Sequence, residues 1–310
     1  MRVLVVTNLW PTPEAPARGG FVKDQVEALR EIDGVEVEVF SFGVGSREYL
    51  RAAREIRSRY RHERFDVVHA HYGLCGWSAL AARHAPHVVT FHGTDLAHRV
   101  VGPLSRVLAR RIALPAPVSA TLAREGLRRT RRRIAVLPCG VNLDRFQRIG
   151  RAGAREQLGL DPAGRYLLFP ADPSRPEKRY DRASRLADVT GATLIAYERR
   201  PPEDIPLMIN AANAVLVTSE REGFGLAPLE ALACDVPVLA TPVGVAPLVL
   251  HGIEGTLCAG FDETVWRAAL EPHLAHADPR VEGRARAALF DRERLAQRVH
   301  HAYRDLLGTA

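Results

Sequence analysis

A strand–helix rhythm that runs through the chain twice constrains the fold more than any other feature. Residues 2–7 (RVLVVT) read as a buried strand, followed by a Pro- and Gly-rich loop over 11–20 and a helix over about 21–31. A second strand is expected at 35–42, a helix over 47–63, a third strand at 65–70, a helix over about 76–83 and a fourth strand at 88–91. Shorter strands are expected at 116–118 and 134–137. Short β-branched runs alternating with amphipathic helices predict a parallel sheet covered on both faces. After a polar stretch around 143–153 the rhythm restarts, with strands at 165–169, 192–196, 214–218 and 236–240. The expected fold class is α/β, as two facing doubly wound (Rossmann-like) domains, 1–145 and 146–290. The 310 residues suffice for two cores. Loops at the carboxyl ends of such strands form ligand sites, so two facing domains would surround one cleft. The tail over 278–307 reads as helical and Arg-rich.

Composition narrows the class further. The chain is 46% apolar and 25% charged, which is ordinary for a globular protein. No apolar run approaches the roughly 18 residues of a membrane span, and none makes a signal-peptide core, so the expected location is the cytoplasm. Cys75, Cys139, Cys234 and Cys258 lie far apart without a Cys-x-x-Cys pair and read as reduced packing residues. The net charge of +7 is concentrated at the front, where residues 1–145 carry 23 Lys+Arg against 14 Asp+Glu. Arg128, Arg129, Arg131, Arg132 and Arg133, with Arg106, Arg110 and Arg111, form the densest cluster. Only Lys23 and Lys178 are lysines, so arginine bias with a solvated face is one reading. The other is attachment to an anionic membrane surface or polyanion, which would make the protein peripheral at the inner face of the membrane. Nucleic acid is not expected as a partner, because no recognition motif and no interleaved aromatics accompany the arginines.

Four loops carry candidate chemistry. The run Ser219-Glu220-Arg221-Glu222-Gly223-Phe224-Gly225-Leu226-Ala227-Pro228-Leu229-Glu230 leaves a strand and opens a helix. Its glycines permit close backbone approach to a ligand, and free amides at a helix start favour an anion. Glu222 and Glu230 could both grip a polyhydroxyl ligand; a capped helix with solvated acids is the plainer alternative. The run Asp172-Pro173-Ser174-Arg175-Pro176-Glu177-Lys178 follows another strand. Arg175 and Lys178 there could neutralise a diphosphate, or be a solvated surface pair. His92 begins a loop in Thr90-Phe91-His92-Gly93-Thr94-Asp95 at a strand end, where an active-site residue belongs, a structural histidine being the plainer alternative. Gly19 and Gly20 follow the first strand and could let backbone amides reach a phosphate, or form a plain turn. His69 and His71 lack a third ligand at metal spacing, so no metal is expected. A dinucleotide fingerprint is absent: the first strand runs into Thr7-Asn8-Leu9-Trp10-Pro11, and Gly43-Val44-Gly45 leads to Glu48. There is no Walker loop and no Gly-x-Ser-x-Gly elbow.

Taken together, these segments resemble the GT-B glycosyltransferases, in particular the retaining family four (glycosyl transferases group 1). The resemblance covers nearly the whole chain. It includes the Gly-rich loop at 16–21, Asp66-Val67-Val68-His69-Ala70-His71, His92-Gly93-Thr94-Asp95 and Leu137-Pro138-Cys139-Gly140-Val141-Asn142. It continues through Pro176-Glu177-Lys178, the Glu222 and Glu230 pair, 231–238 and Thr241-Pro242-Val243-Gly244. The resemblance implies that Glu230 binds the ribose of a nucleotide-diphospho-sugar and that Glu222, with the amides of Gly223, Phe224, Gly225 and Leu226, holds the sugar. It implies that Arg175 and Lys178 stabilise the departing diphosphate without a metal or other cofactor. His92 would line the acceptor side, and a C-terminal helix over 291–310 would join the first domain. The acceptor hydroxyl would then belong to a cell-envelope, lipid-linked or polysaccharide precursor, or to a small molecule.

Three departures from the pattern stand out. Pro173 occupies the place of the usual arginine, with Arg175 two residues later; Gly244-Val245 replaces a Gly-Gly pair; and the front half is short. Competing readings are a non-hydrolysing nucleotide-sugar 2-epimerase, which would act without an acceptor, and a degenerate non-catalytic partner subunit, which would bind no nucleotide.

Overall fold

A computed structural model describes residues 1–197 and 201–309; position 310 of the expected C-terminal helix lies outside them. The chain forms two compact units, Met1–Gly140 with Arg292–Ala310, and Val141–Asp291.

The first unit is built on β1 (Arg2–Thr7), α1 (Gly20–Arg30), β2 (Glu36–Ser41), α2 (Ser46–Arg59), β3 (Val67–His71), α3 (Gly73–Ala79) and β4 (His87–Phe91). It continues through α4 (Thr94–Ala97), α5 (Val101–Ala109), β5 (Leu114–Pro117) and α6 (Ala120–Gly126). Its five strands are all parallel, in the order β2-β1-β3-β4-β5. The two-residue period of β1 divides its side chains between two cores. Val3 and Val5 pack with Val26 and Leu29 of α1, while Leu4 and Val6 pack with Ala52 and Ile56 of α2 and Leu108 of α5.

The second unit contains α7 (Arg151–Gln157), β6 (Tyr166–Phe169), α8 (Tyr180–Thr190), β7 (Thr193–Ala196), α9 (Asp204–Ala211), β8 (Ala214–Val217) and α10 (Ala227–Ala233). It ends with β9 (Val238–Ala240), α11 (Ala246–Leu250), β10 (Leu257–Cys258), α12 (Glu263–Ala275) and α13 (Arg284–Ala287). The strands, again parallel, run β10-β9-β8-β6-β7. Read from the other edge this is the topology of the first sheet, so the repeated rhythm produces the same winding twice. In each sheet the order reverses beside the unit's first strand: between β1 and β3, and between β6 and β8. Ligand crevices open at the carboxyl ends of strands flanking such a reversal.

The final helix, α14 (Arg292–Leu307), belongs to the first unit. Its Ala296, Val299 and Tyr303 are fully buried in the core that contains Val3 and Val5. Two expectations are corrected here. Residues 134–137 are extended but form no strand. Ala135 and Leu137 donate to the carbonyls of Pro115 and Pro117 at 3.2 and 3.1 Å, yet those prolines have no N–H to return, so only half a ladder forms. The expected helix over 278–307 is likewise interrupted. Pro279 and a set of tertiary anchors break it: Asp235 accepts from the amides of Gly283 and Arg284, and Arg280 reaches the carbonyls of Cys234 and Ile149. All four cysteines are unbridged. Among the described residues, no helix is long and apolar enough to cross a membrane.

Candidate active site

In the second unit the loops leaving β6 and β8 flank the reversal and are tied together by backbone. Glu220 N donates to Glu177 O at 2.9 Å, and the Thr218 hydroxyl lies 2.9 Å from the carbonyls of both Lys178 and Arg179. Pro176 opens a 3₁₀ turn, Pro176–Lys178, and Arg179 closes it at φ 56°, which aims the Lys178 side chain across to the β8 loop. There its ammonium donates to Glu222 Oε1 at 2.5 Å, and Ser219 Oγ donates to the same oxygen at 2.7 Å. Lys178 and Glu222 are 14% and 12% exposed. The pair is therefore drier than a surface ion pair but still reachable by a ligand.

Arg175 is not brought to this pair. Its guanidinium donates to Glu177 Oε1 at 3.0 and 2.6 Å, and its side chain is half exposed. It lines a groove with Pro173, Arg179, Tyr180 and Glu220.

The glycine loop after Glu222 is set by backbone contacts. Gly225 has φ 82° and Phe224 is buried, its ring 6.1 Å from that of Phe290. The amides of Gly223, Phe224, Gly225 and Leu226 donate to no partner among the described residues. Gly244 has φ 59°, and a Cβ there would lie 2.2 Å from Phe224 O and 2.8 Å from Glu222 Cβ. Val245 contributes its N–H to Phe224 O at 2.7 Å with its side chain buried. Only the first position of the Gly244-Val245 pair thus requires glycine. Glu230 lies in the first turn of α10, half-buried. The phenol of Tyr197, just past β7, is pushed well up by burial and then by the charge of Glu230, and its hydroxyl has no hydrogen-bond partner among the described residues.

In the first unit, His92 follows β4 at the next strand end. The turn rests on Gly93 at φ 113° and on Asp95, whose carboxylate accepts from the amides of His92, Gly93 and Gly73. Burial pushes the Asp95 carboxyl up to about 6 against those hydrogen bonds. His92 Nε2 lies 3.2 Å from His71 Nδ1, and the His71 ring stacks in turn on His69 with centroids 4.5 Å apart. His69 is held by Tyr303 of α14 at 2.5 Å and by Thr90 at 2.7 Å. Burial holds His92 down to about 4, His69 to about 3 and His71 well below the usual imidazole range. The three rings are consequently neutral at physiological pH.

Phe21 packs on His92 with ring centroids 5.0 Å apart, which brings the start of α1 and the Gly19–Gly20 turn beside the histidine. Gly19 caps α1 at φ 65°, and a Cβ there would meet Leu9 O at 2.2 Å, whereas Gly20 faces open space. Gly19 is required by the turn and Gly20 is not. Sequence reasoning missed Ser219, Tyr197 and Asp95 as members of these sites. Position beside a strand end was the available signal for each.

The sequence profile described as Glycosyltransferase Family 4 matches residues 1–145, and that described as Glycosyl transferases group 1 matches residues 177–282. A D-inositol 3-phosphate glycosyltransferase from Thermobispora bispora is 30% identical over 287 residues, covering 74% of this chain and 67% of the relative. One from Geodermatophilus obscurus is 31% identical over 311 residues, covering 81% and 69%. The chain spans about two thirds of the length of such relatives. Among solved structures, a sucrose-phosphate synthase from Thermosynechococcus elongatus has a TM-score of 0.75 at 20% identity, covering 100% of this chain and 99% of that one. Anabaena HepE, solved in complex with UDP and glucose, has a TM-score of 0.72 at 17% identity, covering 98% and 100%.

Proposed function

Because the chain belongs to the GT-B glycosyltransferases of the family-four type, we propose that it moves a sugar from a nucleotide-diphospho-sugar to an acceptor hydroxyl, with retention and without a metal ion. The observation that carries this reading is the Lys178–Glu222 pair on the two loops at the strand-order reversal of the second unit. A sugar nucleotide places anionic phosphates and neutral hydroxyls side by side, and a cation next to a carboxylate matches that order.

In this reading the donor separates the pair. Lys178 turns to the diphosphate, where negative charge grows as the glycosidic bond breaks, and stabilises it electrostatically. Glu222 accepts from sugar hydroxyls, with Ser219 keeping its carboxylate in place. The amides of Gly223 to Leu226 hold the donor from the loop, Glu230 takes the ribose hydroxyls, and Arg175 leaves Glu177 to join the phosphates. The Gly19–Gly20 turn leaves the first amides of α1 available to an anionic group. His92 serves the acceptor side, its neutral ring able to accept a hydrogen bond from an incoming hydroxyl. Retention without a covalent nucleophile requires the acceptor hydroxyl to approach beside the leaving phosphate.

The test is transfer or slow hydrolysis of UDP-, GDP- and ADP-sugars by the purified protein, after a thermal-shift screen has ranked them. UDP-glucose leads the panel because HepE was solved with it, and phosphorylated polyols lead the acceptors because of the relatives' names. Stabilisation by at least one sugar nucleotide, with turnover lost in Glu222→Gln, is expected. Unchanged donor binding in Glu230→Ala would remove the ribose assignment.

A further inference from the structure

The first unit carries a surface that the transfer reaction does not use. On α5 and the residue before it, Val100, Leu104 and Val107 are 66%, 45% and 38% exposed. Their spacing of four and three residues puts them on one stripe, and continuing that stripe leads to Arg110 and Arg111. These three side chains point outward along one helix, whereas α2, α8, α11 and α12 each expose a single large apolar residue.

The segment that follows α6 is fastened to the end of this stripe. Thr130 Oγ1 donates to Ala109 O and Arg132 Nε to Arg110 O, both at 3.3 Å. Arg106 reaches back to Gly126 O and Leu96 O at 3.2 and 2.9 Å. The arginine-rich run is thereby fastened to the C-terminal end of α5, the helix that carries the apolar stripe. Arg110, Arg129, Arg131 and Arg132 line one depression with no acidic residue in its wall, and Arg110, Arg128 and Arg129 line an adjoining one that holds a single acid, Glu125. Among the described residues, none of these four and neither Arg128 nor Arg111 has an ion pair. Arg133, by contrast, is neutralised by Asp305 at 2.6 Å. Arg111 lies over the ring of Trp77, 5.7 Å from its centroid, and Trp77 Nε1 donates to Leu104 O at 3.3 Å. Unneutralised guanidinium groups repel one another, so this arrangement is relieved by a dense anionic partner.

We propose that this face binds the surface of a bilayer containing anionic phospholipid. Arg110, Arg128, Arg129, Arg131 and Arg132 would contact headgroup phosphates, while Val100, Leu104 and Val107 enter the headgroup–acyl boundary. Trp77 supplies the amphipathic ring that suits that depth. A nucleic acid would satisfy the arginines but would gain nothing from three outward aliphatic side chains, and it is the weaker occupant for that reason. The proposal does not depend on the sugar-transfer reading, since none of these residues belongs to the sites described above.

The test is co-sedimentation of the whole chain with vesicles of phosphatidylcholine alone or mixed with phosphatidylglycerol. The protein should bind only the mixed vesicles and should dissociate as salt rises from about 0.05 to about 0.5 M, where the screening length falls to a few ångströms. Replacing three arginines (Arg129→Ser, Arg131→Ser, Arg132→Ser) should weaken binding on the order of 100-fold. Leu104→Ser with Val107→Ser should weaken binding to the mixed vesicles at low salt as well, where the arginines are intact and screening is least. The single charge reversal Arg128→Glu, at an exposed side chain, gives a second measure should the triple variant melt early. Equal binding to neutral vesicles, no binding at low salt, or indifference to the arginine variants would overturn the proposal. So would displacement by duplex DNA with no effect of the Leu104/Val107 variant, which would make the face a polyanion site.

Discussion

Lys178 Nζ and Glu222 Oε1 lie 2.5 Å apart, although 44 positions separate the two residues in the chain. Each is contributed by a loop that leaves a neighbouring parallel strand, so the contact reports the sheet order directly. Lys178→Met should lower donor turnover by about 10²–10³-fold, the typical cost of one lost transition-state donor. Removing the ammonium also leaves a largely buried carboxylate with Ser219 as its remaining side-chain donor, which should cost about 1–3 kcal/mol of stability. Steady-state kinetics and urea unfolding of Lys178→Met, Glu222→Gln and the double variant separate the two effects.

Gly244 tests whether loop geometry matters apart from charge. With φ at 59° and Phe224 O only 2.2 Å from where a Cβ would stand, Gly244→Ala must move the glycine loop. A stability loss of about 1–3 kcal/mol is expected from the left-handed backbone alone. Val245→Gly should cost less in loop geometry, because the loop uses only the N–H at that position. Thermal melts with and without sugar nucleotide distinguish them: weakened ligand stabilisation is expected in Gly244→Ala.

The histidine stack makes folding stability depend on pH. His69 is held down to about 3 and His92 to about 4, and His71 is also lowered, against an ordinary 6.5. The unfolded chain therefore binds more protons than the folded one as pH falls below that value, and the stabilisation present above it is lost toward pH 4. Asp95, raised to about 6, works in the opposite direction between its ordinary 3.8 and that value. Three lowered imidazoles outweigh one raised carboxyl, so the melting temperature should fall steadily from pH 7 to pH 4. Calorimetry across that interval checks it; a rise in Tm on acidification would contradict the assigned directions.

In the proposed reaction His71 would act as a positioning residue for His92. Its Nδ1 lies 3.2 Å from His92 Nε2, which leaves His92 Nδ1 for other partners. His71→Phe should lower kcat roughly five-fold, corresponding to one hydrogen bond of about 1 kcal/mol, with KM for the donor unchanged. His71→Asn, whose amide can occupy the place of Nδ1, should restore most of the loss. Equal loss in both variants would indicate a purely structural role.

The proposed departure of the diphosphate, assisted by Lys178 and Arg175 in place of a metal, predicts that chelation changes little. Treatment with EDTA should alter the initial rate by less than about two-fold, whereas a metal-dependent transfer would lose most of its rate.

Much of the fold was legible because side-chain periodicity is a local property. Val3 and Val5 against Leu4 and Val6 announce a strand buried on both faces, and the two cores flanking the first sheet bear this out. The extended run at 134–137 looked like another strand, and what defeats it lies twenty residues away, in the missing N–H groups of Pro115 and Pro117. The tail misled for a similar reason: its helical pattern is real, but Asp235 captures the amides of Gly283 and Arg284 from another element. Within the site, Lys178 stood out because arginine fills nearly every other cationic position. Its partner Glu222 was visible only as a member of a loop motif. The choice of Glu177 by Arg175 is settled by competition between neighbouring charges in one turn, which spacing does not reveal. His71 and Tyr303 could not be paired with their neighbours in advance, since those contacts exist only after strands and tail have docked.

The burial of Tyr303 has a consequence for how the molecule is made. Translation releases the strands of the first sheet before this tyrosine, which follows only after the entire 141–291 unit has emerged. Until then the valine face of the first sheet lacks its closing helix and His69 lacks its phenolic partner. The nascent first unit must wait, incompletely sealed, for a helix encoded beyond the whole of the second. Maturation of the two halves is thus sequentially interlocked: the part begun first is the part finished last.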